Sequence, residues 1–333
     1  MSELALDRSV RIDNHLGTHA ASALADDVFD GLTRPFKELP PKWLYDDAGS
    51  ELFDRICELP EYYPTRTERA ILETHAVEIA ETAHAHELLE LGAGFATKTR
   101  VLLDTGAFER YVPFDVSACT VQACGQALLG EYPGLAVHGI VGDYECHLDR
   151  VPAPRGQRLA AFLGGTIGNF TPGARRRFLR AVGRELGADG HLLLGTDLVK
   201  DVSELEAAYD DSAGVTAQFN LNVLRVLNRE LDADFDLDAF EHVAFYDHEH
   251  EWVDLRLRAR SRQTVRIGVL DLTVRFAARE EMRTEISAKF TRARLEADLA
   301  AAGLELVSWF TDPHRRYALT LSRPARLHLV EPS

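Results

Sequence analysis

Glu87-Leu88-Leu89-Glu90-Leu91-Gly92-Ala93-Gly94-Phe95-Ala96-Thr97-Lys98-Thr99-Arg100 reads as a buried strand, a tight glycine turn and the start of a helix. Leu88, Leu89 and Leu91 form an apolar run of strand length. Gly92 and Gly94 carry no Cβ, so the backbone can turn sharply and approach a ligand closely. The free N–H groups of the following helix would face that ligand. A second apolar run, Tyr111-Val112-Pro113-Phe114, ends in Asp115. That places a carboxylate about 20 residues past the turn, where nucleoside-binding βαβ units bind ribose hydroxyls.

The turn also bears on which nucleotide is bound. A dinucleotide fingerprint wants a small third residue at position 97, for close helix–strand packing; here it is Thr97. Glu90 precedes the first glycine by two positions. A carboxylate there suits a ligand with a cationic amino-acid moiety better than one with two phosphates. Both features favour S-adenosylmethionine over NAD.

The chain has 333 residues, enough for one large or two medium domains, and 46% of them are hydrophobic, as in ordinary globular proteins. A formal net charge of −16 disfavours nucleic acid and anionic membrane, both of which call for a basic face. A small cationic or zwitterionic substrate fits better. There is no signal-peptide pattern and no apolar run of spanning length, so the expected location is the cytoplasm. Cys57, Cys119, Cys124 and Cys146 lack metal-type spacing and read as free thiols.

Residues 1 to about 22 read as a polar leader, and 23–38 as an amphipathic helix. Ser50 is the predicted cap of the next helix. A Thr65-x-x-Glu68 capping box is predicted to open the one after Tyr62-Tyr63-Pro64. From residue 87, apolar runs at 87–91, 111–114, 136–141, 158–163 and 191–197 alternate with helical stretches near 96–105, 118–131 and 173–186. That alternation predicts a parallel sheet with helices on both faces. Asp143, Tyr144 and Asn169 follow strand ends and so converge on the crevice that holds Gly92 and Asp115. Residues 200–230 read as helical and 241–277 as strands. A helix over 292–302 and two final strand runs joined by a short turn then close the chain as an antiparallel hairpin.

Five parallel strands, a helix and a terminal hairpin form the plan of class I methyltransferases, an α/β Rossmann-like doubly wound sheet. The predicted division is a methyltransferase domain at 64–199 and 288–333, with a second, substrate-binding α+β domain at 1–63 and 200–287. Asp247-His248-Glu249-His250-Glu251 has the composition of a metal cluster, but its place between strand runs reads as a solvated turn, and no metal is expected. Arg175-Arg176-Arg177 reads as the wet face of a helix.

From about residue 35 onward the chain resembles the L-histidine Nα-methyltransferases of ergothioneine biosynthesis. The segments that carry the resemblance are 41–47 (PKWLYDD), 59–66 (LPEYYPTR), 164–169 (GGTIGN), 195–201 (GTDLVKD), 214–220 (GVTAQFN) and 285–290 (EISAKF). The resemblance implies three successive methyl transfers from S-adenosylmethionine to the α-amine of L-histidine, giving hercynine. It also implies that Tyr45, Gly92, Lys98, Asp115, Asp143 and Tyr144 hold the cofactor. Tyr62, Asn169, Tyr209, Glu285 and Ser287 would hold histidine, with Asn169 and Tyr209 as the catalytic groups, while Gly164, Thr166 and Phe219 line the space around the amine. The sequence departs from the family pattern at Phe95-Ala96, where the family's loop is more polar, and at Gly165, where a serine is expected; the latter would widen the pocket. A monomer acting on a small molecule is expected.

The chemistry of these residue types agrees. Asn169 can donate and accept, and Tyr209 offers a hydroxyl to a carboxylate. Glu285 and Ser287, two apart on a strand, face one way and could grip the two imidazole nitrogens. The Phe219 ring could stabilise a growing alkylammonium. Methyl transfer from a sulfonium needs alignment more than acid–base machinery, so no dedicated strong base is expected. The same residues admit three other functions: an N-methyltransferase acting on another amino acid or on a partly methylated histidine, an NAD-dependent oxidoreductase, and a non-catalytic nucleotide-binding module. Thr97 and the terminal hairpin disfavour the oxidoreductase, and the polar set at 62, 169, 209, 285 and 287 disfavours the binding module.

Overall fold

The computed structural model describes residues 10–16, 20–94 and 96–325. Phe95 and most of the predicted leader lie outside them. In chain order the elements begin with β1 (Arg11–Asn14), α1 (Ala20–Thr33), β2 (Lys37–Glu38), α2 (Asp47–Glu58) and α3 (Pro64–Ala83). The alternating part comprises β3 (Glu87–Leu91), α4 (Thr99–Leu103), β4 (Arg110–Asp115), α5 (Ala118–Glu131), β5 (Ala136–Val141), β6 (Arg158–Phe162), α6 (Pro172–Glu185) and β7 (His191–Asp197). Next come α7 (Val202–Ala207), α8 (Val215–Glu230), β8 (Phe240–Asp247), β9 (Trp252–Ala259), β10 (Gln263–Ile267), β11 (Leu272–Phe276) and β12 (Glu281–Ala288). The last elements are α9 (Arg292–Ala301), β13 (Leu304–Thr311) and β14 (Tyr317–Pro324).

One sheet carries the order β1-β5-β4-β3-β6-β7-β14-β13. The five predicted runs pair in parallel, and β14 joins β7 antiparallel with β13 outside it, as the predicted hairpin. This is the class I methyltransferase plan. The central strands are buried along nearly their whole length, which explains their continuous apolar runs. Successive side chains serve opposite faces. Leu89 and Leu91 pack toward Phe178 and Val182 of α6 and Leu295 of α9, and Leu88 toward Leu72 of α3, Leu102 of α4 and Leu128 of α5.

A second sheet, β2-β12-β9-β8, packs with α1, α2 and α8 around a core of its own that includes Leu32, Phe219, Leu227 and Leu257. The substrate half was predicted to include residues 1–63, but Arg11–Asn14 pair in parallel with β5 as an edge strand of the main sheet. A chain of polar contacts at the sheet end opposite the site reaches this edge strand. Buried Glu87 receives Arg158 (2.6 Å) and Arg110 (2.5 Å). Arg110 meets His138 Nδ1 (2.7 Å), and His138 Nε2 meets Asp13 (2.7 Å). None of these pairings is visible as periodicity in so short a polar segment.

Three local expectations change. Asp46, not Ser50, caps α2, accepting from the Gly49 N–H at 2.8 Å. Pro64 opens α3 with no side-chain cap; Thr65 bonds Cys57 instead, and Glu68 turns into the interior. Arg175 is buried rather than wet, bound to Asp298 at 2.7 Å and lying over the Phe290 ring. The Asp247–Glu251 segment is the expected polar turn, with Asp247 accepting the N–H groups of Glu249 and His250. Among the described residues no group of three or more His, Cys, Asp or Glu side chains could hold a metal ion. No helix among them is long and apolar enough to cross a membrane.

Candidate active site

The glycine turn closes on the neighbouring strand. The Gly92 N–H donates to the Phe114 carbonyl at 2.8 Å, and the Gly94 N–H to the Asp115 carboxylate at 3.0 Å. Gly92, Gly94 and also Ala96 have positive φ, so α4 starts only at Thr99, three residues later than predicted. Asp115 takes the Ser117 N–H on its other oxygen at 3.0 Å. Each carboxylate oxygen therefore accepts one backbone N–H and keeps a lone pair for a ligand hydroxyl. A Cβ at Gly94 would meet nothing within 4 Å, so there is room for a ligand beside the turn.

Glu90, expected to face that ligand, is turned away from it. It accepts hydrogen bonds from Tyr111 (2.5 Å) and from Thr99, and so ties the strand to the start of α4. Burial pushes its pKa up to about 7 against those two hydrogen bonds.

Across the cleft, Tyr144 lies beside Gly92, with a ring carbon 3.9 Å from where a Cβ would stand, and packs on Phe162 and Phe178. Asp143 pairs with Lys42 at 3.6 Å. Lys98 reaches back to Glu68, which also binds the Gly164 N–H at 2.9 Å and the Tyr317 hydroxyl at 2.9 Å. Glu68 is thus a buried hub that holds the cofactor turn, the loop after β6 and the terminal hairpin together. A Cβ at Gly195 would lie 2.0 Å from its carboxylate, so only glycine makes room for it. Thr166 begins the short turn after Gly164 and Gly165, and Asn169 ends it. Gly165 has a φ of 71°, and a Cβ there would meet the Tyr317 hydroxyl at 3.3 Å.

The second sheet supplies the opposite wall. Glu285 and Ser287 share one face of β12, and the Asn169 side chain, on the turn after β6, favours the charged form of the Glu285 carboxylate. Burial raises the Glu285 pKa to about 7 despite the nearby Lys289 charge and the Asn169 side chain. The Tyr209 and Ser287 hydroxyls are 2.8 Å apart. The Tyr62 ring stands edge-on to Tyr209 at 6.1 Å. Tyr45 stands edge-on to Phe219 at 5.2 Å. Tyr45 keeps 38% of its surface accessible, as a ring lining an open cleft does. Residues 62, 209 and 285 thus gather near the strand ends.

A set of residues behind this wall had been given no role. Asp197, at the end of β7, binds Lys200 (2.6 Å), Lys289 (2.8 Å) and the Tyr63 hydroxyl (2.8 Å). The two lysines, foremost Lys289, hold its carboxyl below the usual range against burial. Lys289 had a legible signal, since positions 285, 287 and 289 alternate. The Asp197 pairings depend on elements far apart in the chain and had none.

The histidine-specific, S-adenosylmethionine-dependent methyltransferase family matches residues 24–324. The chain belongs to this family. It is 52% identical over 318 residues to the histidine N-alpha-methyltransferase of Mycobacterium tuberculosis, covering 94% of this chain and 99% of that protein. To the protein of the same name from Mycolicibacterium smegmatis it is 53% identical over 307 residues, covering 91% and 95%. Among solved structures it is similar to an S-adenosylmethionine-dependent methyltransferase from Clostridium acetobutylicum, with a TM-score of 0.48 at 11% identity over 83% of this chain and 99% of that one. As a member of the histidine-specific family, the chain is an S-adenosylmethionine-dependent methyltransferase.

Proposed function

We propose that this enzyme transfers three methyl groups from S-adenosylmethionine to the α-amine of L-histidine, giving hercynine for ergothioneine biosynthesis. The observation that carries this reading is the meeting of the Tyr209 and Ser287 hydroxyls at 2.8 Å, with Asn169 acting on the charge of the Glu285 carboxylate on the same wall. It sets groups suited to an imidazole beside groups suited to an α-carboxylate. The second core, α1–α2 with 200–287, is then the substrate-binding half, and the enzyme acts as a monomer on its small substrate.

S-adenosylmethionine supplies a methyl already activated on a sulfonium. Gly92, Lys98, Asp115, Asp143, Tyr144 and Tyr45 hold it, with Asp115 taking the ribose hydroxyls. Asn169 and Tyr209 hold the substrate carboxylate, Glu285 and Ser287 the imidazole, and Tyr62 packs against it. Gly164, Thr166 and Phe219 bound the space around the amine. Alignment of two bound reactants contributes on the order of 7–11 kcal/mol to lowering the barrier. Holding the amine neutral costs only about 1.4 kcal/mol per pKa unit. The site therefore works without a dedicated base, releasing protons to water. The edge-on pair of Phe219 and Tyr45 contributes about 0.5–2 kcal/mol toward rebinding each methylated cation.

Mass spectrometry of histidine incubated with the protein and S-adenosylmethionine tests this. Three additions of one methyl each support it. Turnover of another amino acid, or of partly methylated histidine alone, reassigns the substrate.

A further inference from the structure

Lys289 is fully buried, with no accessible surface. Its three N–H donors are all engaged, by Asp197 Oδ2 (2.8 Å), Tyr209 Oη (2.8 Å) and Ser287 Oγ (2.9 Å). Burial works against its charge, but Asp197 and the Tyr209 oxygen outweigh it and hold its pKa above the ordinary lysine value.

Two features of this arrangement are unexplained by stability. The first is charge. Asp197 is already neutralised by Lys200 at 2.6 Å and takes the Tyr63 hydroxyl as well. Lys289 is therefore a second buried cation beside one carboxylate, and a buried charge is costly unless it is compensated. Glu285 feels its field, but burial holds that carboxyl up to about 7, so it offsets Lys289 only as it ionises. The Glu68–Lys98 pair is balanced separately.

The second is the proton count. Tyr209 and Ser287 each accept from Lys289 and are 2.8 Å from each other. One hydroxyl proton lies between them. The other has no acceptor left within the trio and is directed outward. An ammonium behind a hydroxyl polarises it and strengthens that outward O–H as a donor to an anion.

We propose that Lys289 is a positioning residue for substrate selection: acting through the Tyr209 hydroxyl, which it orients together with Ser287, it supplies the positive field that restricts the site to amino acids with a free α-carboxylate. This rests on the placement of the substrate carboxylate at Tyr209 given above. Lys289 touches no reacting atom; it orients and charges the groups that do the binding.

Lys289→Met tests it. Asp197 keeps Lys200 and Tyr63, so the change orphans no charge and the fold is expected to hold. The KM for histidine should rise about ten- to hundred-fold, the range for losing a charge-assisted hydrogen bond. S-adenosylhomocysteine affinity should stay within about twofold of wild type. The preference for histidine over histamine, which lacks the carboxylate, should fall by about tenfold or more in kcat/KM. Tyr209→Phe should add little in the Lys289→Met background, because the two act as one unit. Lys289→Gln keeps the hydrogen bonding without the charge and should resemble Lys289→Met. If wild type methylates no histidine, the proposed function itself fails. If it does, and both variants keep the wild-type KM and histamine discrimination, this inference fails alone. Equal losses of histidine and S-adenosylhomocysteine binding in both variants would mark Lys289 as merely structural and overturn it.

Discussion

The Asn169 side chain favours the charged form of the Glu285 carboxylate from across the boundary between the two sheets, yet burial raises that carboxyl to about 7. Between pH 4.5 and about 7 the folded protein keeps a proton that the unfolded chain has released. Stability of the ligand-free enzyme therefore falls as pH rises through this window. Glu285→Gln should remove that slope and stabilise the ligand-free protein by on the order of 3 kcal/mol at pH 8. Urea unfolding at pH 5 and pH 8 measures it. Glu90, also raised to about 7, contributes a slope of the same sign that survives in the variant.

The same ionisation separates binding from chemistry. If Glu285 grips the imidazole and no side chain acts as base, the KM of histidine should carry a pKa near 7 that Glu285→Gln abolishes, while the kcat profile keeps its shape. Steady-state kinetics across pH 6–9 decides this. Loss of an ionisation from kcat on changing one side chain would establish a base.

The two walls should be separable by mutation. Glu285→Ala is expected to weaken histidine binding far more than cofactor binding, and Asp115→Ala to do the reverse. Calorimetry with histidine and with S-adenosylhomocysteine reads both, and equal effects on both ligands would contradict the division of the site.

Glu68 joins Lys98, the Gly164 N–H and Tyr317. Glu68→Ala leaves a buried hydroxyl and a backbone N–H without their acceptor and frees Lys98. A stability loss of about 3–5 kcal/mol is expected, together with weaker S-adenosylhomocysteine binding. Gly195→Ala should give the same signature, because its methyl occupies the space of the Glu68 carboxylate.

Glu87 sits at the far end of the sheet, bound to Arg110 and Arg158. Glu87→Gln should cost about 3–5 kcal/mol in unfolding free energy while KM for both substrates stays unchanged below the melting transition. A comparable rise in either KM would mean that these contacts reach the site.

Sequence alone located the five parallel strands along the chain and the closing hairpin, because a strand buried on both faces must be apolar throughout and a tight turn must carry glycine. It also marked Asp115 and Asn169 by their places after strand ends, a local property; for Glu285 and Ser287 the spacing says only that they share a face, and their role comes from the family resemblance. Only the tertiary structure decided the partners of the buried charges. Glu68 has the spacing of a helix cap yet serves as an interior hub, and Arg175 sits in a basic run yet is buried on Asp298. Asp197 faces two lysines, one of them 92 residues further along the chain. Such pairings arise from long-range packing, where the cost of an unpaired buried charge selects the partner; a linear pattern of hydrophobicity carries no record of that choice.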